Sequence, residues 1–326
     1  MEQFLNIVKN FKNLKILVVG DVMLDEYVKG DVNRISPEAP IPVLDIKDIF
    51  YTPGGAANTA CNASSLGGKV FLAGVIGGED KGKLLTKLLR EKGINTDGVF
   101  IEENRKTTTK TRAVARSQQL VRLDWEDKNP ILPETEQKII NFVSASVKDV
   151  NALIISDYAK GVITPVLARK LLDIAFHANI QCFVDPKGED YSKYRGCGIV
   201  TPNEKELAQA LKLEIKDDQT VIQAGKMLLA HVMCENVLVK RGGKGMMLFE
   251  KNGNIILSPA TNKSAVDVSG AGDTAIAAFV LARTGGASLK EAMDIASCAC
   301  GIEVGKAGTA VVLPEELEES IKTNLS

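Results

Sequence analysis

The sequence predicts an α/β fold: a doubly wound, mostly parallel sheet with helices on both faces and a small β-sheet lid. Three observations carry that expectation. Short apolar runs bounded by turn signals alternate with helical patterns along most of the chain. Two segments interrupt that rhythm with prolines or strict polar–apolar alternation. Hydrophobic residues make up 45% of the 326 positions, enough for one large core.

The runs at 16–20, 70–75, 152–156, 180–184, 199–201 and 237–239 are nearly continuous in apolar residues, as strands buried on both faces must be. Helical patterns fit between and after them at 56–66, 80–92, 133–147, 164–177, 203–210 and 219–231. Two further stretches, 271–283 and 289–304, are largely apolar all round and read as packed helices. The first interruption, 27–51, holds Pro37, Pro40 and Pro42 with a β-like piece over 42–46. The second, 99–125, alternates polar and apolar residues over 107–114 and again over 119–125, the mark of half-exposed antiparallel strands. Together they are expected to form a lid over the carboxyl ends of the core strands, where open α/β sheets bind ligands. No repeat, low-complexity tract or linker divides the chain, so residues 1–326 read as one domain.

A net charge of -1 favours neither nucleic acid nor an anionic membrane as a bulk partner. No stretch approaches the roughly 20 uncharged residues that span a bilayer. Residues 1–11 lack the cationic head and long apolar run of a secretory signal, which points to a cytoplasmic protein. The six cysteines show no paired C-x-x-C spacing; Cys298 and Cys300 form only C-x-C. They read as small buried hydrophobes in a reducing compartment and not as a metal site. The two histidines, His177 and His231, carry no motif, which argues against histidine chemistry.

The richest run is 267–274, where Gly270, Ala271, Gly272 and Asp273 stand at a loop-to-helix junction. Glycines there let backbone N–H groups approach an anion, and the helix N-terminus adds positive dipole. An acid beside a bound anion makes sense if Asp273 takes a proton from a hydroxyl that attacks a phosphate held by those amides. The plain alternative is a turn with a helix-capping acid.

Other constellations carry the same two-sided reading. Gly54, Gly55 and Asn58 open a helix, either bringing backbone and an amide to a sugar or making a simple turn. Asp21 and Asp25 leave the first strand and suit vicinal hydroxyls, unless they are solvated turn formers. Asn203 and Glu206, at i and i+3, can organise a hydrated Mg²⁺ or form a capping box. Asp185 and Lys187 offer an acid and a cation to a phosphate, or mark a turn. The glycine turn at 240–245 contains no Walker loop, and none occurs elsewhere. Strand alternation places Lys110, Arg112 and Arg116 on one lid face, as a socket for an anionic sugar or as a solvated surface.

Taken in order, Gly54-Gly55…Asn58, Asn203-x-x-Glu206 and Asp267…Gly270-Ala271-Gly272-Asp273 resemble the ribokinase (PfkB) family of carbohydrate kinases over essentially the whole chain. The runs at 34–40, 118–124, 156–161 and 185–188 are similar to those of its heptose-7-phosphate kinases. The resemblance implies a ribokinase-like fold and ATP-dependent phosphorylation of D-glycero-β-D-manno-heptose 7-phosphate at the anomeric hydroxyl, on the way to ADP-heptose for lipopolysaccharide. It makes Asp273 the base and Gly270, Ala271 and Gly272 the anion hole. It gives the sugar hydroxyls to Asp25 with Asp21 and Asn58, and Gly54, Gly55, Arg112, Arg116 and Lys187 are expected on the same substrate from the constellations above. Asn203 and Glu206 would position Mg²⁺ through water, with Asn203, Lys240, Gly242, Gly245, Cys300, Val304 and Gly308 around the nucleotide. Asp267 and backbone near Gly308 would hold a monovalent cation such as K⁺, and two copies would pair through the lid. Val268 and Lys240 depart from the common family pattern, which has threonine and a small hydroxyl residue there. The H-x-G-H signature of a fused nucleotidyltransferase is absent, so the sequence reads as a stand-alone kinase or the kinase part of a longer protein. A kinase for another sugar or nucleoside, and a non-catalytic sugar-binding regulator, are the alternatives.

Overall fold

The computed structural model describes residues 1–116, 118–262, 265, 267–306, 308 and 310–325. Its first half runs α1 Glu2–Asn10, β1 Lys15–Gly20, β2 Val22–Ile35, β3 Pro42–Gly55, α2 Ala56–Ser65, β4 Lys69–Ile76, α3 Asp80–Glu91 and β5 Asn95–Ile101. There follow β6 Thr109–Ala115, β7 Gln118–Trp125, α4 Pro133–Ser146, β8 Ala152–Ser156, α5 Pro165–His177, β9 Gln181–Asp185 and β10 Ile199–Val200. The chain continues with α6 Glu204–Leu211, α7 Asp218–Val232, β11 Asn236–Lys240, β12 Met246–Glu250 and β13 Ile255–Ser258. Three helices complete it: α8 Ala271–Thr284, α9 Leu289–Glu303 and α10 Pro314–Asn324.

Nine strands form the core sheet in the order β13-β12-β11-β10-β9-β8-β1-β4-β5. Pairing is parallel from β11 through β5, and only β12 and β13 run antiparallel at one edge. The apolar runs become strands because both sheet faces are covered: every residue of β8 is buried. One core packs α2, α8 and α9 against the sheet, with Phe11, Leu72, Phe279 and Met293 inside it. The other packs α4, α5 and α7 on the opposite face around Leu153, Leu171 and Phe249. Chain order reverses at β1, which has β4 on one side and β8 on the other. That reversal opens a crevice at the carboxyl ends of β1 and β8.

The lid is a separate four-stranded sheet, β3-β2-β6-β7. It begins earlier than the sequence suggests, since β2 and β3 pair from Val22↔Gly55 outward. Its second half begins later: 99–101 belongs to β5 at the edge of the core sheet, and only β6 and β7 join the lid. β6 runs parallel to β2, so Asp25 stands opposite Lys110 and Tyr27 opposite Arg112. α1, β5, β13 and α10 lie outside the rhythm read from the sequence, because each is a short or edge element with too few buried residues to show a period. No described helix is long and apolar enough to cross a membrane.

Candidate active site

Parallel strands deliver their next residues to one edge, and here that edge holds the chemistry. Asp21 follows β1, Asp157 and Tyr158 follow β8, Asp185 ends β9, Asn203 follows β10 and Lys240 ends β11. α8 begins against the same edge. A cavity of about 580 Å³ opens between them, lined by Asp185, Asn203, Lys240, Gly270, Gly272 and Cys300 among others.

Gly270 caps α8 with φ 96°, a left-handed conformation that costs glycine nothing. The amides of the first turn have no intrahelical acceptor. Ala271 N–H reaches Val268 O at 3.4 Å, which leaves those of Gly272 and Asp273 for an anion at the cavity. Asp273 is only 4% exposed. Its Oδ2 accepts from Asn58 Nδ2 (2.7 Å) and its Oδ1 from Thr59 Oγ1 (2.9 Å) and the Tyr158 hydroxyl. Asn62 braces Asn58 from behind through 3.1 and 3.3 Å contacts and takes the Thr274 hydroxyl at 2.9 Å. Asn58 therefore faces the acid, where the sequence reading gave it a sugar hydroxyl. Burial pushes the Asp273 carboxyl up to about 6, with Asp185 adding to the rise and the Tyr158, Asn58 and Thr59 bonds opposing it.

A pH dependence follows from those causes. The base role that the sequence expects of Asp273 needs the ionised form, so under it kcat/KM should fall as pH drops through about 6. Tyr158→Phe removes a bond that stabilises the carboxylate, so its acid limb should move to higher pH. A pH–rate profile in which the limb stays put, or moves lower, would refute the coupling.

The phosphate side of the cavity carries two ion pairs. Lys240 Nζ meets Asp185 Oδ1 at 2.5 Å, and Thr201 Oγ1 donates to the same oxygen at 2.9 Å. A Cβ on Gly272 would lie 3.4 Å from that ammonium, so Lys240 stands beside the anion hole. Lys187 meets Glu206 Oε1 at 2.7 Å on the cavity wall it shares with Asp185, away from Asp25 and the other residues expected on the sugar. Asn203 and Glu206 form a full capping box on α6, at 2.8 and 2.9 Å. Both Glu206 oxygens are thus engaged, and the plain reading of this pair is the one the geometry displays. Among the described residues no set of three or more acid, histidine or cysteine side chains converges to hold a metal. Such a rim fits a hydrated Mg²⁺ carried on phosphates better than a stripped ion in a protein cage. Gly242 and Gly245 close the turn after β11 at the cavity wall, with Gly245 N–H on Gly242 O at 2.9 Å.

At the base of the lid, Asp25 pairs with Arg112 at 2.8 Å. A side chain on Gly54 would stand 2.8 Å from Asp25 Oδ2, so only glycine leaves that carboxylate its place. Gly55 follows with φ 57° and its amide plane turned into α2. Asp21 is not open to a ligand. Its carboxylate accepts the backbone N–H groups of Tyr158 (2.7 Å), Lys160 (3.2 Å) and Val162 (3.0 Å), which makes it the clamp of the 157–162 loop. Burial and the neighbouring Asp157 charge push it up to about 6 despite those bonds.

Arg116 requires a correction. β6 ends at Ala115, and Arg116 sits exposed in the hairpin turn with φ 54°, off the face that Lys110 and Arg112 share. It lies beyond Ala115, which is paired with Gly30, five residues up the strand from Asp25↔Lys110, or about 17 Å at ~3.3 Å per residue. Arg116 is therefore beyond side-chain reach of Asp25 itself.

Where a monovalent cation was expected, Asp267 accepts Ser269 N–H (2.8 Å) and Gly308 N–H (3.2 Å), and its own N–H meets Val304 O at 3.3 Å. Cys300 Sγ lies 3.4 Å from Ala271 O. Glu303 adjoins this loop, fully buried, with neither carboxylate oxygen hydrogen-bonded. An orphaned carboxylate near Asp267 fits a bound cation. Burial, with the Asp267 and Asp273 charges, pushes Glu303 up to about 8 against the pull of Lys306. A folded-state value raised above 4.5 contributes stability that is complete below about 4.5 and lost as pH rises through about 8. Glu303→Gln should therefore melt progressively higher than the parent as pH is raised from 5 to about 9 in a K⁺-free buffer. A constant offset across that range would contradict the assignment.

Residues 13–316 match the pfkB family carbohydrate kinase profile. The chain belongs to the pfkB family of carbohydrate kinases. It is 42% identical over 306 residues to "Bifunctional protein HldE" of Geobacter metallireducens, covering 94% of this chain and 62% of that protein. The protein of the same name from Helicobacter pylori is 41% identical over 305 residues, covering 93% of this chain and 65% of that one. The chain thus spans just under two thirds of the length of these relatives. Its fold is ribokinase-like. Arabidopsis thaliana ribokinase, solved with ribose and ATP, superposes with a TM-score of 0.76 at 21% identity, covering 95% of this chain and 99% of that one. Phosphofructokinase-2 of Escherichia coli, solved with potassium, gives 0.78 at 21% identity, covering 96% and 100%.

Two groups at this edge carry no role in the sequence analysis. Thr59 is a generic helix residue in sequence, and only the packing of α2 on α8 brings it to Asp273. Tyr158 follows an apolar strand run, and that position at a carboxyl end was the available signal.

Proposed function

We propose that this chain transfers the γ-phosphoryl group of ATP to the anomeric hydroxyl of D-glycero-β-D-manno-heptose 7-phosphate. The observation that carries the reading is Asp273, a buried acid raised to about 6 at a helix N-terminus that is open to an anion. The similarity to proteins named HldE and the heptose-kinase runs at 34–40, 118–124, 156–161 and 185–188 support the choice of sugar.

In this reading Asp273 accepts the hydroxyl proton as the oxygen attacks the γ-phosphorus, and the bond from that phosphorus to the bridging oxygen of ADP breaks. In place of the full Gly270, Ala271 and Gly272 set that the resemblance implies, the open amides of Gly272 and Asp273 hold the transferring group, and Lys240 adds positive charge beside them. Asp25, set by Arg112 and by the missing side chain of Gly54, orients the sugar. Asn203 and Glu206, besides capping α6, would turn their remaining lone pairs to the water shell of Mg²⁺, which would supply neutralisation of phosphate charge. Asp267 and Glu303 are the groups toward K⁺. Residues 1–326 act as one domain, in the cytoplasm. Two copies pair through the lid, because all eight residues of β7 are exposed, Leu120, Val121, Leu123 and Trp125 included.

ATP turnover across heptose 7-phosphate, heptose, hexoses, hexose phosphates and nucleosides tests the proposal. Heptose 7-phosphate should give the highest kcat/KM. A higher value for any other acceptor would replace the sugar and keep the kinase. Tight sugar binding with no ATP consumption on any acceptor would favour the regulatory alternative.

A further inference from the structure

The lid face that carries Asp25 also carries a charge imbalance. Lys110 and Arg112 lie on that face of β6, opposite Asp25 and Tyr27 of β2, and Asp124 and Arg122 face them from β7. Arg112 is matched by Asp25 at 2.8 Å. Asp124 is already held by Arg122 through two bonds of 2.8 and 2.9 Å, which leaves Lys110 a long 3.8 Å contact to it. Glu126, two residues beyond Asp124, gives one oxygen to Lys128, at 2.8 Å, and the other to Lys160 in a close ion pair. Five cations thus meet these three carboxylates, with Asp267 also within reach of Arg112, so the cluster keeps a net positive charge.

Lys110 and Lys160 are the least exposed of the doubly shared cations, at 19% and 14%. They are also close enough to repel. Burial, then the charges of Lys160 and Arg122, pull the Lys110 ammonium down, and Asp124 and Glu126 only partly restore it. The carboxylate partners of the two lysines are two residues apart, and Lys160 is closely paired while Lys110 is held only at 3.8 Å, so an anion placed between them would complete the pairing of Lys110. Their placement fits the chemistry next to them. Lys110 is the register partner of Asp25, and Lys160 stands two residues beyond Tyr158, whose hydroxyl bonds Asp273.

We propose that Lys110 and Lys160 form the seat for a phosphate monoester carried by the acceptor, at the end remote from the hydroxyl facing Asp273. Lysine suits this task as a mobile point charge that needs no fixed fork geometry. This rests on the kinase reading of the site, and it moves phosphate recognition from the lid tip to its base.

The test compares kcat/KM for heptose 7-phosphate with that for the unphosphorylated heptose, in the parent chain and in Lys110→Met and Lys160→Met. The phosphorylated-to-plain ratio should fall at least about tenfold in each methionine variant, the scale of one charge-assisted contact. Lys160→Arg, which keeps the charge, should restore most of it. Equal losses on both acceptors, an unchanged ratio, or a parent enzyme that ignores the phosphate would each overturn the seat while leaving the kinase reading intact. If the parent turns over no acceptor, the kinase reading falls and calorimetric titration decides the seat by itself. Heptose 7-phosphate binding at least about tenfold weaker in the methionine variants, with heptose binding unaltered, supports it; parallel changes refute it.

Discussion

Asp273→Asn should lower kcat by about 10²–10⁴-fold, the usual loss on removing a positioned general base. The expectation rests on the contrast between what the acid receives and what it can give. Three donors already satisfy it, from Asn58, Thr59 and Tyr158, yet burial still leaves it poised at about 6. An amide keeps the shape but cannot take a proton. The fold should survive, because the hydroxyls of Thr59 and Tyr158 can rotate to accept from the new NH₂ group. Circular dichroism and ATP binding by calorimetry check that the variant is intact. A variant with near-parental kcat would remove Asp273 from the chemistry.

Asp21→Ala should cost roughly 3–5 kcal/mol of stability, since each buried donor left unmade costs about 1–3 kcal/mol and the loop relaxes to recover part. The three stranded N–H groups are those of Tyr158, Lys160 and Val162, and the clamp joins the end of β1 to the loop after β8. Because that loop carries Tyr158 and Lys160, activity should fall further than stability alone explains. Urea unfolding gives the first number and turnover well below the unfolding midpoint gives the second. A loss under about 1 kcal/mol would mean that the loop holds itself and that Asp21 is free for the sugar after all.

The core was largely legible in the sequence because strands covered on both faces must be continuously apolar, and that pattern survives without any knowledge of partners. β8 is the clearest case, expected at 152–156 and found as Ala152–Ser156, fully buried. The loop-to-helix junction at 270–273 was legible for a similar reason, since a glycine pair directly ahead of an apolar run marks where a helix starts. Pairwise roles were not. Asn203 and Glu206 carry the same signature whether they cap a helix or order a metal's waters, and spacing cannot separate the two. Arg116 extends an alternation that the backbone abandons at Ala115, where the hairpin turns. Asn58, read as a sugar ligand, meets Asp273 only after α2 packs on α8, a contact that no local pattern encodes.

That contact also sets a clock. Asn58 and Asp273 are 215 residues apart, and translation at about 5–20 residues per second separates their synthesis by about 10–40 s. Throughout that interval α2 has emerged with Asn58 and Asn62 but without the helix that meets them. β1 likewise waits for β8, its neighbour on the other side, until residue 152 is made. The nascent chain therefore holds a half-built sheet edge and an unmatched helix face for longer than most elementary folding steps take. No fragment released before α8 is complete can carry out phosphoryl transfer, because the acid and its helix arrive in the final fifth of the chain. Ribosomes stalled before that point should yield chains that bind chaperones and consume no ATP.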